Sequence, residues 1–269
     1  MDQTKRYDDI LSEAGLIRAM SGSGRLPRIS VYASIDSTNA EAKRILLSGE
    51  TQPTLVVAEH QTAGRGRMGR SFYSPAHTGA YFSVAYTTQK PPESVVTLTG
   101  ATAVAVMRAI YRLCGIRVGI KWVNDLYLDG KKICGILAES MFGAWDDGRQ
   151  GVVIGIGINL NTHEFPKELM EKAGSLDVPS LTREALIVAV WQELMPLLET
   201  PEDRSWLADY RTCSTVLGKE ICWLENGEER QGFAESIDED GALMVRDAGG
   251  GMTGLFTGEI SLRTDGAWK

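Results

Sequence analysis

The sequence predicts an α+β protein: a mixed, largely antiparallel sheet with helices, followed by a small, partly open β-barrel. Three observations lead there. Apolar runs of strand length are interspersed with helical patterns up to about residue 214. Asp129-Gly130 joins two such runs into a hairpin, the mark of antiparallel pairing. Near Thr215 the texture changes to short strands and tight turns at Asn226-Gly227, Asp240-Gly241 and Gly249-Gly250-Gly251. The division expected is 1–214, with 1–28 as a short helical extension, and 215–269.

Taken in order, residues 2–20 have the pattern of an amphipathic helix, with Ile10, Leu11, Ala14, Leu16 and Ile17 apolar among charges. Ser21-Gly22-Ser23-Gly24 breaks it. Ile29 to Ile35 reads as a strand, and Ala40 to Leu47 as a helix entered through Asp36-Ser37-Thr38-Asn39. Thr38 with Glu41 fits a capping box. The same cluster of hydroxyl and amide groups at a helix start also suits a polar ligand head. Leu55 to Ala58 and Ala80 to Tyr86 read as strands. Thr97 to Leu113, apolar nearly all round, reads as a buried helix. Ile116 to Trp122 is a further strand, then the hairpin through Asp129-Gly130. With a two-residue turn, Asp125 pairs with Cys134 and Tyr127 with Lys132. Asp125 and Lys132 become diagonal neighbours, about 7–8 Å apart at the backbone, a carboxylate beside an ammonium without a closed ion pair being forced. Gly151 to Asn159 is a strand whose glycines admit a ligand or a neighbouring backbone. Thr182 caps a helix through Glu199 that Pro196 kinks, and Ser205 to Thr212 is helical.

The chain has 269 residues and a formal net charge of −7, a balance that argues against a general DNA-coating protein. Cys114, Cys134, Cys213 and Cys222 form no CxxC pair and have no histidine at metal spacing, so they read as reduced thiols of a cytoplasmic protein rather than zinc ligands. His60, His77 and His163 form no HExxH. No secretory signal or membrane-length apolar run is evident. Against this acidic background stands the stretch 64–70, with glycines at 64, 66 and 69 and arginines at 65, 67 and 70. It leaves a strand, lacks apolar periodicity and presents guanidinium forks suited to carboxylate or phosphate. It has neither a Walker loop nor a dinucleotide fingerprint.

Five motifs in this order resemble the biotin protein ligase family: Asp36-Ser37-Thr38-Asn39, Gly64 to Arg70, Lys121-Trp122-Val123-Asn124-Asp125, Lys132 with Gly135-Ile136-Leu137, and Gly155-Ile156-Gly157-Ile158-Asn159. Gly258-Glu259-Ile260-Ser261 adds to the match, which runs from about Ile29 to Arg263. The resemblance implies a class II aminoacyl-tRNA-synthetase-like catalytic domain and an SH3-like C-terminal domain. It also implies biotin, ATP and Mg²⁺, and as partner a biotin carboxyl carrier protein or domain whose lysine is modified. Two departures stand out. Val123 occupies a position where the family usually has proline, and the N-terminal segment is too short for a winged helix-turn-helix. The chain therefore resembles the monofunctional type, with no specific DNA target and no membrane expected. Oligomeric state stays open, a homodimer included.

The family reaction joins the biotin carboxylate to the α-phosphate of ATP, then passes biotin to the carrier lysine. On this resemblance Lys132 and Arg67 hold the carboxylate and α-phosphate, and Arg70 the phosphates of ATP. Asp125 and Asn124 are candidates for Mg²⁺, and Asp125 for either orienting the amine or taking its proton. Ser37, Thr38, Asn39, Gln61, Gly64 and Arg65 fall to the biotin site, and Gly135 and Gly157 let backbone approach the ligand. Phe72 is either an adenine-stacking ring or a core residue under the loop. Asn159 falls to the adenine or ribose side. The arginine loop is expected to order over the ligands and exclude water from a mixed anhydride. A lipoate or octanoate ligase or transferase of related fold, and a non-enzymatic ligand- or nucleic-acid-binding regulator, are the alternatives.

Overall fold

The computed structural model describes residues 10–22, 26–89, 95–225, 227–264 and 267–268. The expected helix over 2–20 begins in part outside them. Within them it is α1 (Glu13–Met20), whose cap residue Ser12 accepts from Gly15 N at 3.1 Å. Part of the expected Ser21–Gly24 break and Asn226 also lie outside the described residues.

Then follow β1 (Arg28–Tyr32), α2 (Thr38–Leu47), β2 (Thr54–Ala58), β3 (Gly79–Thr88), α3 (Val95–Cys114), β4 (Gly119–Lys121), β5 (Asp125–Leu128), β6 (Lys131–Met141), β7 (Gln150–Asn159), α4 (Arg183–Glu199) and α5 (Trp206–Thr212). The strands form a seven-stranded sheet in the order β1-β2-β3-β7-β6-β5-β4. β1 and β2 are parallel and all other neighbours antiparallel. A second sheet orders β8 (Glu220–Glu225), β9 (Glu228–Ile237), β10 (Leu243–Arg246), β11 (Met252–Leu255), β12 (Ile260–Thr264) and β13 (Ala267–Trp268) as β11-β10-β9-β8-β12-β13. The fold is thus mixed α+β.

Strand alternation sorts the side chains. On β7, Val152, Ile154, Ile156 and Ile158 join the main core with α3 and α4, while Gly155 and Gly157 face the other side. On β6, Cys134, Ile136 and Ala138 point into that core, leaving Gly135, Leu137 and Glu139 opposite. The registers Gly135↔Gly157 and Leu137↔Gly155 align these positions. The second face is covered by α2, whose Ala42, Ile45 and Leu46 pack on Val56, Ala85 and Val153. The second sheet adds Ile221, Trp223, Val245 and Ile260 to the main core, and Trp122 Nε1 donates to Gly241 O at 3.0 Å.

Three sequence expectations need correction. The strand expected through Ile35 ends at Tyr32, and the one expected over Ile116–Trp122 shortens to β4, because edge segments there leave the ladder for loop and inter-element contacts. The hairpin turns through left-handed Asp129 (φ 49°) and Gly130 (φ 77°) as its residues require, and Tyr127 does pair with Lys132. Asp125, however, pairs with Gly135 rather than Cys134, because Ile133 is an extra residue bulged out of the ladder.

α3 presses on α5 through a glycine. A Cβ at Gly100 would lie 2.7 Å from the buried Trp206 ring. Gly100→Ala should therefore lower unfolding free energy by about 1–3 kcal/mol through overpacking, read as a lower urea midpoint at unchanged slope.

Candidate active site

On the glycine-bearing face lies a cavity of about 150 Å³, bounded by the start of α2, the arginine loop, the β5–β6 hairpin and Gly258 to Ile260. Its base is backbone. A Cβ at Gly157 would collide with the Phe72 ring, one at Gly135 would meet the same ring at 3.1 Å, and one at Gly155 would collide with Asn39 Oδ1. The glycines thus admit protein side chains, Phe72 and Asn39, close to the sheet. Phe72 is half-buried between loop and sheet and lines the cavity.

The start of α2 forms the polar end. Ser37 is the cap residue, buried, and its hydroxyl makes no capping bond. Gln61 does the capping from a different segment: its Oε1 accepts from Thr38 N at 2.9 Å and lies 3.2 Å from Thr38 Oγ1, and its Nε2 donates to Ser74 Oγ at 2.9 Å. The capping box expected for Thr38 and Glu41 does not form. Thr38 is already inside the helix, and Glu41 accepts from Tyr32 Oη and Arg44 instead. Asn39, 4% exposed, donates to Leu137 O and Glu139.

The loop is a miniature hairpin. Arg65 bridges Ser71, Gly66 N donates to Arg70 O at 2.7 Å, and the turn passes through left-handed Met68 (φ 55°) and Gly69 (φ 75°). Gly64 is packed too tightly for a side chain, since a Cβ there would stand 2.5 Å from Phe72 O. Arg67 donates to Asn124 Oδ1 at 3.2 Å and to Thr257 Oγ1 at 3.3 Å, and Arg70 pairs with Glu259. Two loop arginines therefore reach the segment just before β12.

The hairpin supplies the charged end. Lys132 Nζ lies 2.6 Å from Asp125 Oδ1, so the two groups that the hairpin pattern puts beside one another form a closed pair. The bulge at Ile133 follows Lys132 directly and interrupts the β5–β6 ladder between the two charged residues. Lys121, paired with Asp125 across β4–β5, lies over the Tyr127 ring at 5.5 Å. Five cationic side chains (Arg65, Arg67, Arg70, Lys121, Lys132) and two carboxylates (Asp125, Glu259) line the cavity. In a chain of net charge −7 this local excess suits an anion. Burial pushes Arg67 and Lys121 below their ordinary ranges, and Asp125 and Glu259 partly offset it.

Every residue expected at the site lines the cavity except Gly64 and Asn159. Asn159, at the end of β7, turns its Nδ2 to Gly174 O at 3.0 Å. Lys121, Tyr127 and Glu259 also line the cavity and were not singled out as site residues. The first two flank Asp125 in the hairpin pattern and could have been found from it. Glu259 had only the Gly258-Glu259-Ile260-Ser261 match as a signal.

Burial, then Asp125 and Glu259, push the Tyr127 phenol up to about 12, from an ordinary value near 10. The folded state then keeps a proton that the unfolded chain loses, so this contribution is complete below about pH 10 and is lost as pH rises toward about 12. Tyr127→Phe should flatten the fall in unfolding free energy across that window, measured by urea titration at stepped pH. An unchanged slope would place the phenol's titration elsewhere.

Comparison with known proteins agrees with this geometry. Residues 31–159 match the model of the biotin/lipoate A/B protein ligase family, a span that contains most of the cavity lining. The bifunctional ligase/repressor BirA of Bacillus spizizenii is 41% identical over 148 residues, covering 54% of this chain and 45% of that protein. The chain thus spans less than half the length of that relative. The biotin–[acetyl-CoA-carboxylase] ligase of Mycobacterium tuberculosis is 31% identical over 281 aligned positions, covering 97% of this chain and 98% of that protein. Among solved structures, the biotin protein ligase of Aquifex aeolicus in complex with biotin and ATP superposes with a TM-score of 0.72 at 26% identity, covering 88% of this chain and 99% of that one. From the sheet with its glycine base, the cationic cleft and relatives matched along nearly their whole length, the chain belongs to the biotin protein ligase family.

Proposed function

We propose that this chain is an ATP-dependent biotin protein ligase, which forms biotinyl-5′-AMP and then biotinylates a lysine of a biotin carboxyl carrier protein or domain. The observation that carries the reading is the polarity of one cleft. An uncharged hydrogen-bonding end, with Ser37 and Thr38 buried and Gln61 half-buried, suits a ureido head, and a cationic end (Arg67, Lys121, Lys132) suits a carboxylate meeting a phosphate. An alkyl-chain acid offers nothing to the polar end, which favours biotin over octanoate or lipoate. We read the first sheet with its helices as class II synthetase-like, the second as SH3-like, and the boundary as near residue 214.

The first step brings two anions together, and fixed cations in a site screened from water offset that repulsion. Lys132 and Arg67 take the carboxylate and α-phosphate, Arg70 and Lys121 the remaining phosphate charge. Ligand anions would compete with Asp125 for Lys132 and with Glu259 for Arg70. Asn124 aims Arg67 through its 3.2 Å contact. Phe72 offers a ring face beside the loop for the adenine, and the loop's contacts with Thr257 and Glu259 support its closing over the mixed anhydride.

Among the described residues no three metal-ligating side chains of the His, Cys, Asp and Glu types gather. Asp125, as one carboxylate beside phosphates and water, is the kind of donor Mg²⁺ accepts. Bound through Asp125, with the Asn124 amide adjacent, Mg²⁺ would neutralise phosphate charge. Asp125, which lines the cavity, would also orient or deprotonate the incoming amine.

Incubating the chain with biotin, ATP and a carrier domain should give carrier biotinylated at its lysine; a folded chain that leaves the carrier unmodified contradicts the reading. Lys132→Met should slow adenylate formation by about 100-fold or more while biotin affinity changes by about threefold or less. Equal losses in both would remove the transition-state role. Asp125→Asn should slow transfer from preformed adenylate as well as its formation. A defect confined to formation would exclude the amine role.

A further inference from the structure

We propose that Tyr210 is a positioning residue for the cationic end of the cleft: from outside the cavity lining, its hydroxyl fixes the β4–β5 turn that presents Lys121, Asn124 and Asp125 to the ligands. The inference rests on the biotin ligase reading above and deepens it. β4 and β5 pair through Lys121 and Asp125, so Trp122, Val123 and Asn124 form a three-residue turn between them. Of these five residues only Val123, which is buried, does not line the cavity. A turn has no ladder of its own, so its buried polar groups need partners from elsewhere. Each turn residue finds one on a different element. Trp122 Nε1 donates to Gly241 O, between β9 and β10, at 3.0 Å. Asn124 O accepts from Ile136 N of β6 at 3.0 Å, and Asn124 Nδ2 donates to Ile136 O at 3.1 Å. Val123 O accepts from the buried Tyr210 hydroxyl of α5 at 3.2 Å.

α5 is itself held firmly. The Tyr210 ring packs edge-on against Trp206, with centroids 5.9 Å apart. On either side of Tyr210, Asp209 accepts from Arg108 Nε of α3 at 2.8 Å, and Arg211 Nε donates to Ile237 O of β9 at 2.9 Å. Just beyond the helix, Cys213 O accepts from Ile120 N at 2.8 Å and Thr215 N donates to Ile120 O at 2.9 Å, so the chain after α5 bridges the edge strand β4. α5 and its continuation thus grip β4 and its turn together, and Tyr210 reaches the tip. Burial holds the phenol above its ordinary range, so it remains a donor at neutral pH, and Arg67 and Asp125 lie within its electrostatic reach. The turn in turn holds the cations: Asn124 Oδ1 accepts from Arg67, and Asp125 pairs with Lys132. The uncharged end of the cleft is fixed separately, by Gln61 on the start of α2.

Tyr210→Phe deletes the donor and keeps the ring. In biotin-dependent exchange of pyrophosphate into ATP by the full chain, it should lower kcat/KM for ATP about tenfold or more, while biotin affinity measured by calorimetry changes about twofold or less. A purely structural role would move stability without dividing the two ends of the cleft. Val190→Ala, a core truncation on α4, is therefore the control: it should melt earlier and keep the wild-type kcat/KM below its melting range. Because the hydroxyl acts largely through Asn124, Tyr210→Phe should cost about threefold or less in an Asn124→Ala background. Gly119→Ala disturbs the same grip without touching the hydroxyl, since a Cβ there would collide with Thr215 Cγ2, and it should give the same one-sided loss. A folded Tyr210→Phe overturns the proposal if kcat/KM for ATP is unchanged, if biotin affinity falls in step, or if the loss is as large in the Asn124→Ala background. Should Tyr210→Phe not fold, a folded Gly119→Ala with kcat/KM for ATP within about twofold of wild type overturns it. A folded wild type that shows no biotin-dependent exchange would instead remove the biotin ligase reading, and this proposal with it.

Discussion

The site depends on one steric constraint: β6 and β7 carry apolar side chains on one face and glycine on the other where they pair. Gly135, Gly155 and Gly157 leave the sheet bare, and the space above it is filled selectively. Asn39 lies on one part and Phe72 on another, and the cavity is what remains. The same alternation drives Ile136, Ile154, Ile156 and Ile158 into the main core. The elements that bury apolar surface are therefore the ones that fix the binding surface, which makes its base rigid where loops would not be. A methyl group at any of these glycines would crowd a side chain that the site uses.

Charge is the second organising feature. Cations gather around Asp125 and Glu259 in an otherwise acidic chain. Such a group is costly without counter-charge, and each cation leans on what is near: Lys132 on Asp125, Arg67 on Asn124 and Thr257, Arg70 on Glu259. These contacts hold the side chains at the cleft ahead of ligand, with Asp125 and Glu259 in the places that ligand anions would take. They also tie the arginine loop to the second sheet, so that a segment nearly 190 residues away in sequence becomes part of the cleft wall.

Much of this was legible from the chain. The Asp129-Gly130 turn, the apolar run of α3, and the change of texture near Thr215 are local signals, and local physics produces the corresponding elements. Motifs far apart in sequence, at Ser37, Arg67, Asp125, Lys132 and Gly157, come to one cavity. What was not legible is tertiary. Asp36-Ser37-Thr38 offers several local caps, and only folding brings the Gln61 amide to the helix start. A pattern of residues gives no sign that Ile133 will bulge, yet that bulge moves the partner of Asp125 from Cys134 to Gly135. Asn159 has the sequence context of a polar group leaving a dry core, and the structure places it outside the cavity lining with its Nδ2 on Gly174 O.

The central claim is that this cleft activates a biotin carboxylate on the α-phosphate of ATP. Exchange of labelled pyrophosphate into ATP by the purified chain tests it most directly, with biotin, octanoate and lipoate as parallel acids. The account predicts exchange that depends on biotin and is absent with the two alkyl acids. Exchange supported by octanoate or lipoate and not by biotin, or none with any acid from a folded sample, would contradict it.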